Sequence, residues 1–314
     1  ESINLAFSAA SKENGDEILV GEFEHHAVLN SAKKYGVQKL IKIKKDSVIS
    51  LEDLRAKITP KTKIVSVMLA NNETGVIQPI SKIAEIIRGE RMRRLSNGEK
   101  TPIYLHSDAS QGVGQIDISV ARLGIDMLTL NAGKIYGPKQ TGLLWANREI
   151  KFSAQIVGGG QERNLRSGTE NVPNVIGFAK AIQLAEKHRK KENERLRELK
   201  EIFKKILRDN FSEEEMIFLG NSKKQLASHI SVSFPGIDAE RMVFALEIQG
   251  VLVATGSACA ANKGVRSHTL TAMGLTDDEA DGSLRISLGK LSNEENTKRA
   301  AEIISKTIKA EFKR

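Results

Sequence analysis

The sequence predicts an α/β fold: a mainly parallel sheet domain, followed by a smaller α+β C-terminal domain. Short apolar runs alternate with helical patterns through the first half of the chain, at 17–21, 63–69, 102–107, 127–130 and 142–146. Such alternation is typical of a parallel sheet covered on both faces by helices. Three further strand-like runs follow a long charged helical segment, at 229–234, 251–254 and 282–289. We therefore expect one domain over residues 1–188 and a second over residues 189–314.

Helical periodicity fills most of the stretches between these strands. It is clearest at 24–29, 81–94, 173–208, 238–249 and 292–312. The charged helix at 173–208 is expected to lead from the first domain into the second. The segment 95–102 is polar and contains both Gly and Pro, so we expect a surface loop there.

Composition limits the classes of function. The chain has 314 residues, 40% hydrophobic and 28% charged, as is ordinary for globular proteins. No apolar run approaches the ~18 residues that cross a membrane, and the sequence does not open with a signal-peptide core, so we expect a cytoplasmic protein with no membrane contact. A single cysteine excludes an internal disulfide. The net charge of +9 is spread over helices and interleaved with Glu, and 4% of residues are aromatic, so no nucleic-acid partner is expected.

Lys134 stands where the apolar run 127–130 ends, and Gly137-Pro138 turns the chain just after it. A lysine held at the mouth of a buried strand is expected to be desolvated along its stem and hydrated at its tip. Desolvation lowers the pKa of an ammonium group, so Lys134 could supply the neutral amine that condenses with an aldehyde to a Schiff base. The alternative is an ordinary solvated surface lysine.

Asp108 follows the predicted strand 102–107, at the end of a strand where open α/β sheets place their ligands. A carboxylate there suits a pyridine-ring cofactor, because it keeps the ring nitrogen protonated and the ring able to accept electrons. A helix or turn cap is the alternative, and the following Ala-Ser-Gln fits it. The combination with Lys134 favours the cofactor.

Four motifs carry a resemblance to a known family. They are Ser-Asp-Ala-Ser-Gln-Gly-Val-Gly at 107–114, Gly-Lys-Ile-Tyr-Gly-Pro-Lys at 133–139, Gly-Gly-Gly-Gln-Glu-Arg-Asn-Leu-Arg-Ser-Gly-Thr at 158–169 and Gly-Ser-Ala-Cys at 256–259. The chain resembles the pyridoxal-phosphate cysteine desulfurases of the class V aminotransferase family, in the branch with Gly-Ser-Ala-Cys. The resemblance implies a fold-type I PLP transferase-like subunit. It also implies N-terminal incompleteness, because Glu1 matches the residue just after the family's phosphate-binding Gly and Thr motif.

The resemblance assigns the cofactor pyridoxal 5'-phosphate and the residues that hold it. Lys134 links to the cofactor and Asp108 faces the ring nitrogen. The other cofactor-binding residues implied are Gln111, Asn72, His25 and Thr169. His25 would stack on the ring and move protons, and the loop with Arg166 and Thr169 would reach the phosphate of a neighbouring subunit in a homodimer.

From the residues alone, several of these positions have ordinary structural alternatives. His25 and His26 could both be structural histidines, and as helix neighbours they point about 100° apart, which makes a metal site improbable. Asn72 could serve turn chemistry in Ala-Asn-Asn-Glu-Thr-Gly, and the loop that ends at Thr169 could be held by its own fold.

Arg285 interrupts an otherwise apolar strand pattern at 282–289. A buried arginine needs a partner, and the resemblance implies the carboxylate of the substrate, held together with Asn72. An internal Asp or Glu is the alternative partner.

Cys259 lies among Gly, Ser, Ala and Asn, which bury a thiol poorly, and Lys263 and Arg266 would favour its thiolate. The resemblance makes Lys134, Cys259 and His25 the catalytic residues that convert L-cysteine to L-alanine. Cys259 would keep a persulfide and pass the sulfur to an acceptor protein, such as an iron–sulfur scaffold, or to thiolation. Two alternatives remain: another class V enzyme such as a selenocysteine lyase, and a degenerate, non-catalytic partner subunit.

Asn131 and Gly133, which precede Lys134, both depart from the family pattern. The family carries a serine and a histidine there, both on the cofactor phosphate, whereas this chain has Asn131 and Gly133. Ser110 stands in place of the usual threonine, which is a smaller change.

Overall fold

The computed structural model describes residues 1–11, 13, 15–221, 223–256 and 266–313. Contacts between Cα atoms divide the chain into two compact units, which are described separately below. Unit 1 comprises Glu1–Lys42, Ile49–Ala70 and Gln78–Arg189, and unit 2 comprises Ile43–Val48, Asn71–Ile77 and Lys190–Arg314. The assignment of a cofactor-binding domain to 1–188 and a Cys259-bearing domain to 189–314 stays a prediction.

Unit 1 is built on a six-stranded sheet in the order β2-β1-β3-β4-β5-β6. Its strands are β1 (Glu17–Gly21), β2 (Val37–Ile41), β3 (Thr62–Ser66), β4 (Tyr104–Asp108), β5 (Met127–Asn131) and β6 (Gly142–Ala146). Strands β1 to β5 pair in parallel, and β6 pairs antiparallel with β5. The predicted mainly parallel sheet is confirmed.

Helices connect these strands. Unit 1 contains α1 (Ser2–Ala10), α2 (His26–Tyr35), α3 (Leu51–Lys57), α4 (Ile80–Ser96), α5 (Val120–Leu123), a 3-10 helix (Ala132–Ile135), the short α6 (Gln161–Asn164) and the first part of α7 (Val172–Asn210). Ile3 and Phe7 of α1 pack in one apolar cluster with Ile18 and Val20 of β1 and Met127 of β5. This buried contact covers the sheet and leaves its carboxyl edge to the loops.

The strand β3 ends earlier than the apolar run 63–69 predicted, but its chain continues beside β4. The N–H of Val67 donates to the carbonyl of His106 over 3.1 Å, and the N–H of Leu69 donates to the carbonyl of Asp108 over 2.9 Å. The end of β4 is therefore held by backbone hydrogen bonds up to Asp108.

Unit 2 contains a four-stranded antiparallel sheet in the order β7-β8-β10-β9. Its elements are the second part of α7, β7 (Ile217–Phe218), β8 (His229–Ser233), α8 (Ala239–Glu247), β9 (Ala254–Thr255), α9 (His268–Ala272), α10 (Asp277–Asp281), β10 (Ser283–Ser287) and α11 (Glu294–Phe312). Helices α7, α8 and α11 pack on the sheet around a core that includes Phe203, Leu246, Val232, Phe234 and Ile304. The α+β character predicted for this part of the chain is confirmed.

The strand predicted at 251–254 is wrong for its first three residues. Gly250 adopts a left-handed conformation with φ of 80° after α8, and the N–H of Val251 donates back to the carbonyl of Leu246 over 2.9 Å. Such a bond closes a helix C-terminus, so Val251 is buried as part of the cap and only Ala254–Thr255 pairs as a strand.

Among the residues that the structure describes, no helix combines the length and the apolar character needed to span a bilayer.

Candidate active site

A tight backbone turn places Lys134 beyond the end of β5. The side chain of Asn131 accepts a hydrogen bond of 2.8 Å from the N–H of Gly133 and caps the 3-10 helix. Gly137 closes the turn through a 2.9 Å bond from its N–H to the carbonyl of Ala132. A Cβ at position 137 would lie 3.0 Å from that same oxygen, a close contact that favours glycine at this position. The departure from the family pattern at Asn131 therefore has a structural use as a cap.

The predicted desolvation of Lys134 is wrong for this chain, because the side chain is exposed. Its amine makes no hydrogen bond or ion pair with the described residues. The structure therefore presents an unengaged primary amine at the carboxyl edge of the sheet, on a turn fixed by its own backbone.

Asp108 ends β4 and lies directly opposite Thr129 of β5 in the parallel register. One carboxylate oxygen accepts a 2.9 Å hydrogen bond from the N–H of Ser110, which is the turn-capping role named as the alternative. The other oxygen makes no hydrogen bond with the described residues. One carboxylate can therefore cap the turn and still accept a proton donor from a ligand.

His25 precedes the first residue of α2 and caps that helix. Its Nδ1 accepts a 3.1 Å hydrogen bond from the N–H of Ala27. The predicted helix start at Glu24 is wrong by two residues, since α2 begins at His26. Because Nδ1 is an acceptor, the neutral imidazole of His25 carries its proton on Nε2.

The charged side chains of this site all shift the pKa of His25. Desolvation by surrounding groups lowers the pKa of His25 although its side chain remains exposed; the charge of Asp108 raises this pKa, and those of His26 and Lys134 lower it. His25, Asp108 and Lys134 lie at or beyond the ends of three different strands, β1, β4 and β5, at one edge of the sheet. Unit 1 thus brings together three of the predicted cofactor-binding residues.

Glu24 was missed by sequence analysis, which placed it in a helix. It is fully buried, its Oε1 accepts a hydrogen bond from the N–H of Met68, and the burial raises its pKa well above the usual value. The charge of Asp108 raises the pKa of Glu24 further. An acidic residue immediately before a predicted active-site histidine was the available signal.

Two other predicted cofactor residues of unit 1 lie in loops. Gln111 is half-buried in the turn after β4, and its side-chain amide makes no hydrogen bond with the described residues. Thr169 is exposed. Arg166, in the same loop as Thr169, pairs with Glu1 at 3.0 Å and donates to the carbonyl of Ser167. The role of Thr169 at the cofactor phosphate therefore stays a prediction.

Unit 2 brings Arg285 and Asn72 together. Arg285 lies in β10 between Ser231 of β8 and Ala254 of β9, and its guanidinium donates over 3.0 Å to the carbonyl of Asn72. The Nε of Arg285 is buried without a hydrogen-bond partner. Within the described residues Arg285 forms no ion pair, and the side-chain amide of Asn72 makes no hydrogen bond. Both side chains keep donors that a carboxylate could engage.

The predicted nucleophile Cys259 and its neighbour Lys263 lie outside the described residues. Arg266 is described, and it pairs with Asp277 at 2.8 Å and with Asp281 at 2.7 Å. Two carboxylates already balance its charge, so its predicted role in favouring a thiolate is not supported.

The residues of unit 1 fit pyridoxal phosphate. An unengaged amine, a carboxylate with one oxygen to spare, a neutral imidazole and a half-buried amide are the groups that such a ring requires. Across the ranges that the structure describes, no group of three or more His, Cys, Asp or Glu residues could hold a metal ion.

Comparison with known proteins identifies the family. The profile of the family described as "Aminotransferase class-V" matches residues 1–299. The chain is 38% identical over 315 residues to "Cysteine desulfurase IscS 1" of Archaeoglobus fulgidus, covering 98% of this chain and 78% of the relative. It is 37% identical over 304 residues to "Cysteine desulfurase IscS" of Clostridium botulinum, covering 96% and 74%.

Solved structures give the same result. A "NifS-like protein" superposes with a TM-score of 0.86 at 29% identity, over 98% of this chain and 80% of the other. A NifS-like protein from Rickettsia africae superposes with a TM-score of 0.84 at 27% identity, over 100% and 79%. The predicted fold and the predicted resemblance are both confirmed, and the chain belongs to the class V aminotransferase family.

Proposed function

We propose that this protein is a pyridoxal-phosphate-dependent cysteine desulfurase that converts L-cysteine to L-alanine and retains the sulfur as a persulfide on Cys259. The observation that carries the proposal is the unengaged amine of Lys134, which lies close enough to His25 for its charge to shift the pKa of the imidazole. The charge of Asp108 shifts the same pKa. Relatives named cysteine desulfurases that match almost the whole chain support the same activity.

Four side chains of unit 1 are suited to hold the cofactor. When bound, pyridoxal 5'-phosphate supplies an aldehyde that an amine can attack and a ring that withdraws electrons from the α-carbon of the substrate. Lys134 offers that amine. The unengaged oxygen of Asp108 would hold the proton on the ring nitrogen, and the amide of Gln111 would donate to the ring oxygen. His25 lies beside them and keeps its proton on Nε2.

Arg285 and Asn72 are suited to hold the carboxylate of L-cysteine. The guanidinium is fixed by the carbonyl of Asn72 but keeps further donors, including a buried Nε without a partner. A planar carboxylate can take two parallel hydrogen bonds from such a fork. This contact would give the site its preference for an amino acid.

The reaction can be balanced with groups of this chain. Lys134 takes the proton from the α-carbon, and His25 is placed to move protons. The thiolate of Cys259 attacks the sulfur of the substrate: a sulfur–sulfur bond forms, the carbon–sulfur bond breaks, and the carbon keeps the electron pair. A proton added to that carbon, together with the return of a proton from Lys134 to the α-carbon, completes L-alanine, and Cys259 is left one oxidation step up as a persulfide.

An exposed apolar face supports a homodimer. Val172, Val175 and Ile176 occupy one side of the first turns of α7 and are 58%, 51% and 64% exposed, and Val157 is 81% exposed. Apolar side chains grouped in this way are typical of a subunit interface. A partner subunit on this face would bring a second copy of the loop with Thr169, which supports a phosphate contact made across the dimer.

The persulfide requires a destination and a reducing environment. We infer a protein acceptor for the sulfur, such as an iron–sulfur scaffold. A cytoplasmic location is supported by the chemistry, because Cys259 must be a free thiol before each turnover.

The test uses the protein loaded with pyridoxal 5'-phosphate and supplied with L-cysteine. We expect L-alanine and protein-bound persulfide to form in equal amounts in the first turnover. Lys134→Ala should abolish the visible absorbance of the bound cofactor and the activity. Cys259→Ser should keep the absorbance but form no persulfide.

Lys139→Ala is the matched control, since Lys139 is another exposed lysine five positions along the chain. It should retain both the absorbance and the activity. Alanine formation from selenocysteine that survives Cys259→Ser, without activity on cysteine, would point instead to a selenocysteine lyase. A wild-type protein that binds no cofactor would point to a non-catalytic subunit.

A further inference from the structure

Glu73 occupies a rigid turn in unit 2. The side chain of Asn71 accepts hydrogen bonds from the N–H of Glu73 over 2.9 Å and from that of Thr74 over 2.8 Å. The side chain of Glu73 is buried, with 4% of the residue exposed. A buried carboxyl on a turn is costly unless it is bonded, so its partners identify what it does.

The carboxyl of Glu73 is bonded to the start of α9. Ser267 donates its hydroxyl to Oε2, and Thr269 donates to Oε1 over 3.2 Å. The same Ser267 oxygen accepts the N–H of Leu270 and caps the helix. Because a hydroxyl has one proton, the cap and the bond to Glu73 define a single orientation of Ser267.

Glu73 also lies beside the residue that precedes segment 257–265. A Cβ on Gly256 would be 3.5 Å from Oε2 of Glu73 and 2.9 Å from Leu270. Gly256, just before that segment, and Ser267, shortly after it, therefore both lie against the carboxyl of Glu73. Cys259 belongs to the intervening segment in sequence.

The same turn holds Arg285. The carbonyl of Asn72, the residue before Glu73, accepts the hydrogen bond from Arg285. The positive charge of Arg285 acts on Glu73 and lowers its pKa, as do the hydroxyl bonds, but desolvation is the larger effect and raises the pKa to about 7. Glu73 therefore changes its charge near neutral pH, next to an arginine.

Other titratable groups reach this turn and have to be separated from Glu73 in any experiment. From β8, His229 packs behind Gly75. From α7, Lys200 donates to Gln225, which in turn donates to the carbonyl of Thr74. Burial lowers the pKa of Lys200 to about 7.

We propose that Glu73 is a positioning residue for Arg285, one that fixes the turn on which the arginine rests and weakens its attraction for a substrate carboxylate when Glu73 is ionised. The inference deepens the proposed function and rests on it, because it takes Arg285 as the group that binds the carboxylate of L-cysteine. With Glu73 neutral, the substrate carboxylate meets an arginine without a competing charge. With Glu73 ionised, a second negative charge shares that arginine.

The binding test measures the dissociation constant of L-alanine from the cofactor-loaded protein, by the change in cofactor absorbance, at pH 6 and at pH 8. L-alanine carries the same carboxylate and amine as the substrate but no thiol. The ratio of the affinity at pH 6 to the affinity at pH 8 should be at least ~3-fold larger in the wild type than in Glu73→Gln. The glutamine side chain of the variant cannot ionise. Titration of the ligand amine, His229 and Lys200 is common to both proteins and cancels.

Two further variants separate charge from packing. Glu73→Asp keeps the ionisable group and should keep the extra dependence on pH, even if it weakens binding at both values. Glu240→Gln, an exposed carboxylate of α8 in the same unit, should match the wild type. If Glu73→Gln changed the affinity by the same factor at both pH values, Glu73 would be merely structural and the inference would be overturned.

A second readout needs neither cofactor nor activity. A carboxyl whose folded pKa is raised above 4.5 to about 7 retains a proton that the unfolded chain has lost, so its contribution to stability falls as pH rises through that window. The unfolding free energy of Glu73→Gln should lack this fall relative to the wild type, and identical slopes would overturn the inference. A wild type that bound no L-alanine would instead overturn the proposed function.

Discussion

At the scale of single residues, the pKa of His25 depends on the charged side chains of the candidate site. Its pKa is lowered by desolvation and, to a smaller extent, by the charges of His26 and Lys134, while Asp108 acts in the opposite sense. The direction in which each neighbouring group shifts the pKa of His25 is thus known. This makes the geometry of the site testable without cofactor, substrate or turnover.

We expect the two neighbouring substitutions to move the pKa of His25 in opposite directions. Asp108→Asn removes the charge that favours the imidazolium, so the pKa should fall further below 6.5. Lys134→Ala removes a charge that opposes the imidazolium, so the pKa should rise. The measurement is a pH titration of the His25 ring by nuclear magnetic resonance in the protein without cofactor.

Lys139→Ala serves as the control, because Lys139 is exposed and is not among the groups that act on His25. It should leave the titration of His25 unchanged. Shifts of the same sign in Asp108→Asn and Lys134→Ala would contradict the arrangement of these three side chains.

Sequence analysis proposed Lys134 and Asp108 because each follows a predicted strand, and it proposed His25 from the family resemblance. It could not find how they are supported. Glu24 and Glu73 were missed, since their burial and their raised pKa values come from packing with residues distant in sequence, such as Met68 and Ser267. Residue identity predicts candidate reactive groups, but only the fold shows that the carboxyls of Glu24 and Glu73 are buried.

At the scale of elements, one buried arginine in the last turn of α4 holds the chain segments around it. Arg94 is 1% exposed, and its guanidinium donates to the carbonyls of Thr59, Thr62, Thr101 and Pro102 and to the carboxylate of Glu90. These carbonyls precede or begin β3 and lead into β4. Arg94 therefore joins the end of a helix to the starts of two central strands.

Arg94→Ala should lower the free energy of unfolding by about 3–5 kcal/mol, because it leaves buried carbonyls and a partly buried carboxylate without their donor. Arg94→Lys should recover only part of the loss, since an ammonium group cannot reproduce the planar fork. Urea unfolding of the variants and the wild type measures the difference.

The neighbouring Arg93 is a matched control for Arg94. Both arginines bind Glu90, but Arg93 is exposed and pairs otherwise with the surface residue Glu99. Water replaces the contacts of an exposed ion pair, so Arg93→Ala should cost much less than Arg94→Ala. Equal losses from the two substitutions would show that Arg94 does not hold β3 and β4 as the hydrogen bonds indicate.

The same scale shows where periodicity succeeds and where it fails. The apolar runs at 17–21, 127–130 and 142–146 became strands because each is buried or paired along its length. The run at 251–254 is equally apolar, but its first residue closes the C-terminus of α8 instead of pairing. An apolar pattern predicts burial, and a hydrogen-bonded cap can bury a side chain as well as a strand can.

At the scale of the whole molecule, the loop with Thr169 decides whether a complete site needs two copies of the chain. Thr169 is exposed, and its neighbour Arg166 pairs with Glu1 in the same chain. The apolar face of α7 begins three residues after Thr169. A dimer formed through this face would carry the loop of one subunit towards the other, so we expect Thr169 to act across the interface.

Mixed dimers test this expectation directly. Lys134→Ala removes the amine, and Thr169→Asp would place a negative charge against the proposed position of the cofactor phosphate, on an exposed residue that the fold should tolerate. Each variant alone should be inactive or nearly so. If Thr169 serves the neighbouring site, a heterodimer of the two variants contains one site with both lesions and one intact site. Random pairing makes about half of the dimers heterodimers, so co-expression should restore about a quarter of the wild-type activity.

If Thr169 instead serves its own subunit, each site of the heterodimer carries one lesion, and the mixture shows only the mean of its parents. Val175→Glu in both partners provides the second arm, because a charge on the exposed apolar face should prevent association. It should abolish the restored activity and shift the mass measured by light scattering to that of a monomer. Restoration that survived this substitution would place the interface elsewhere.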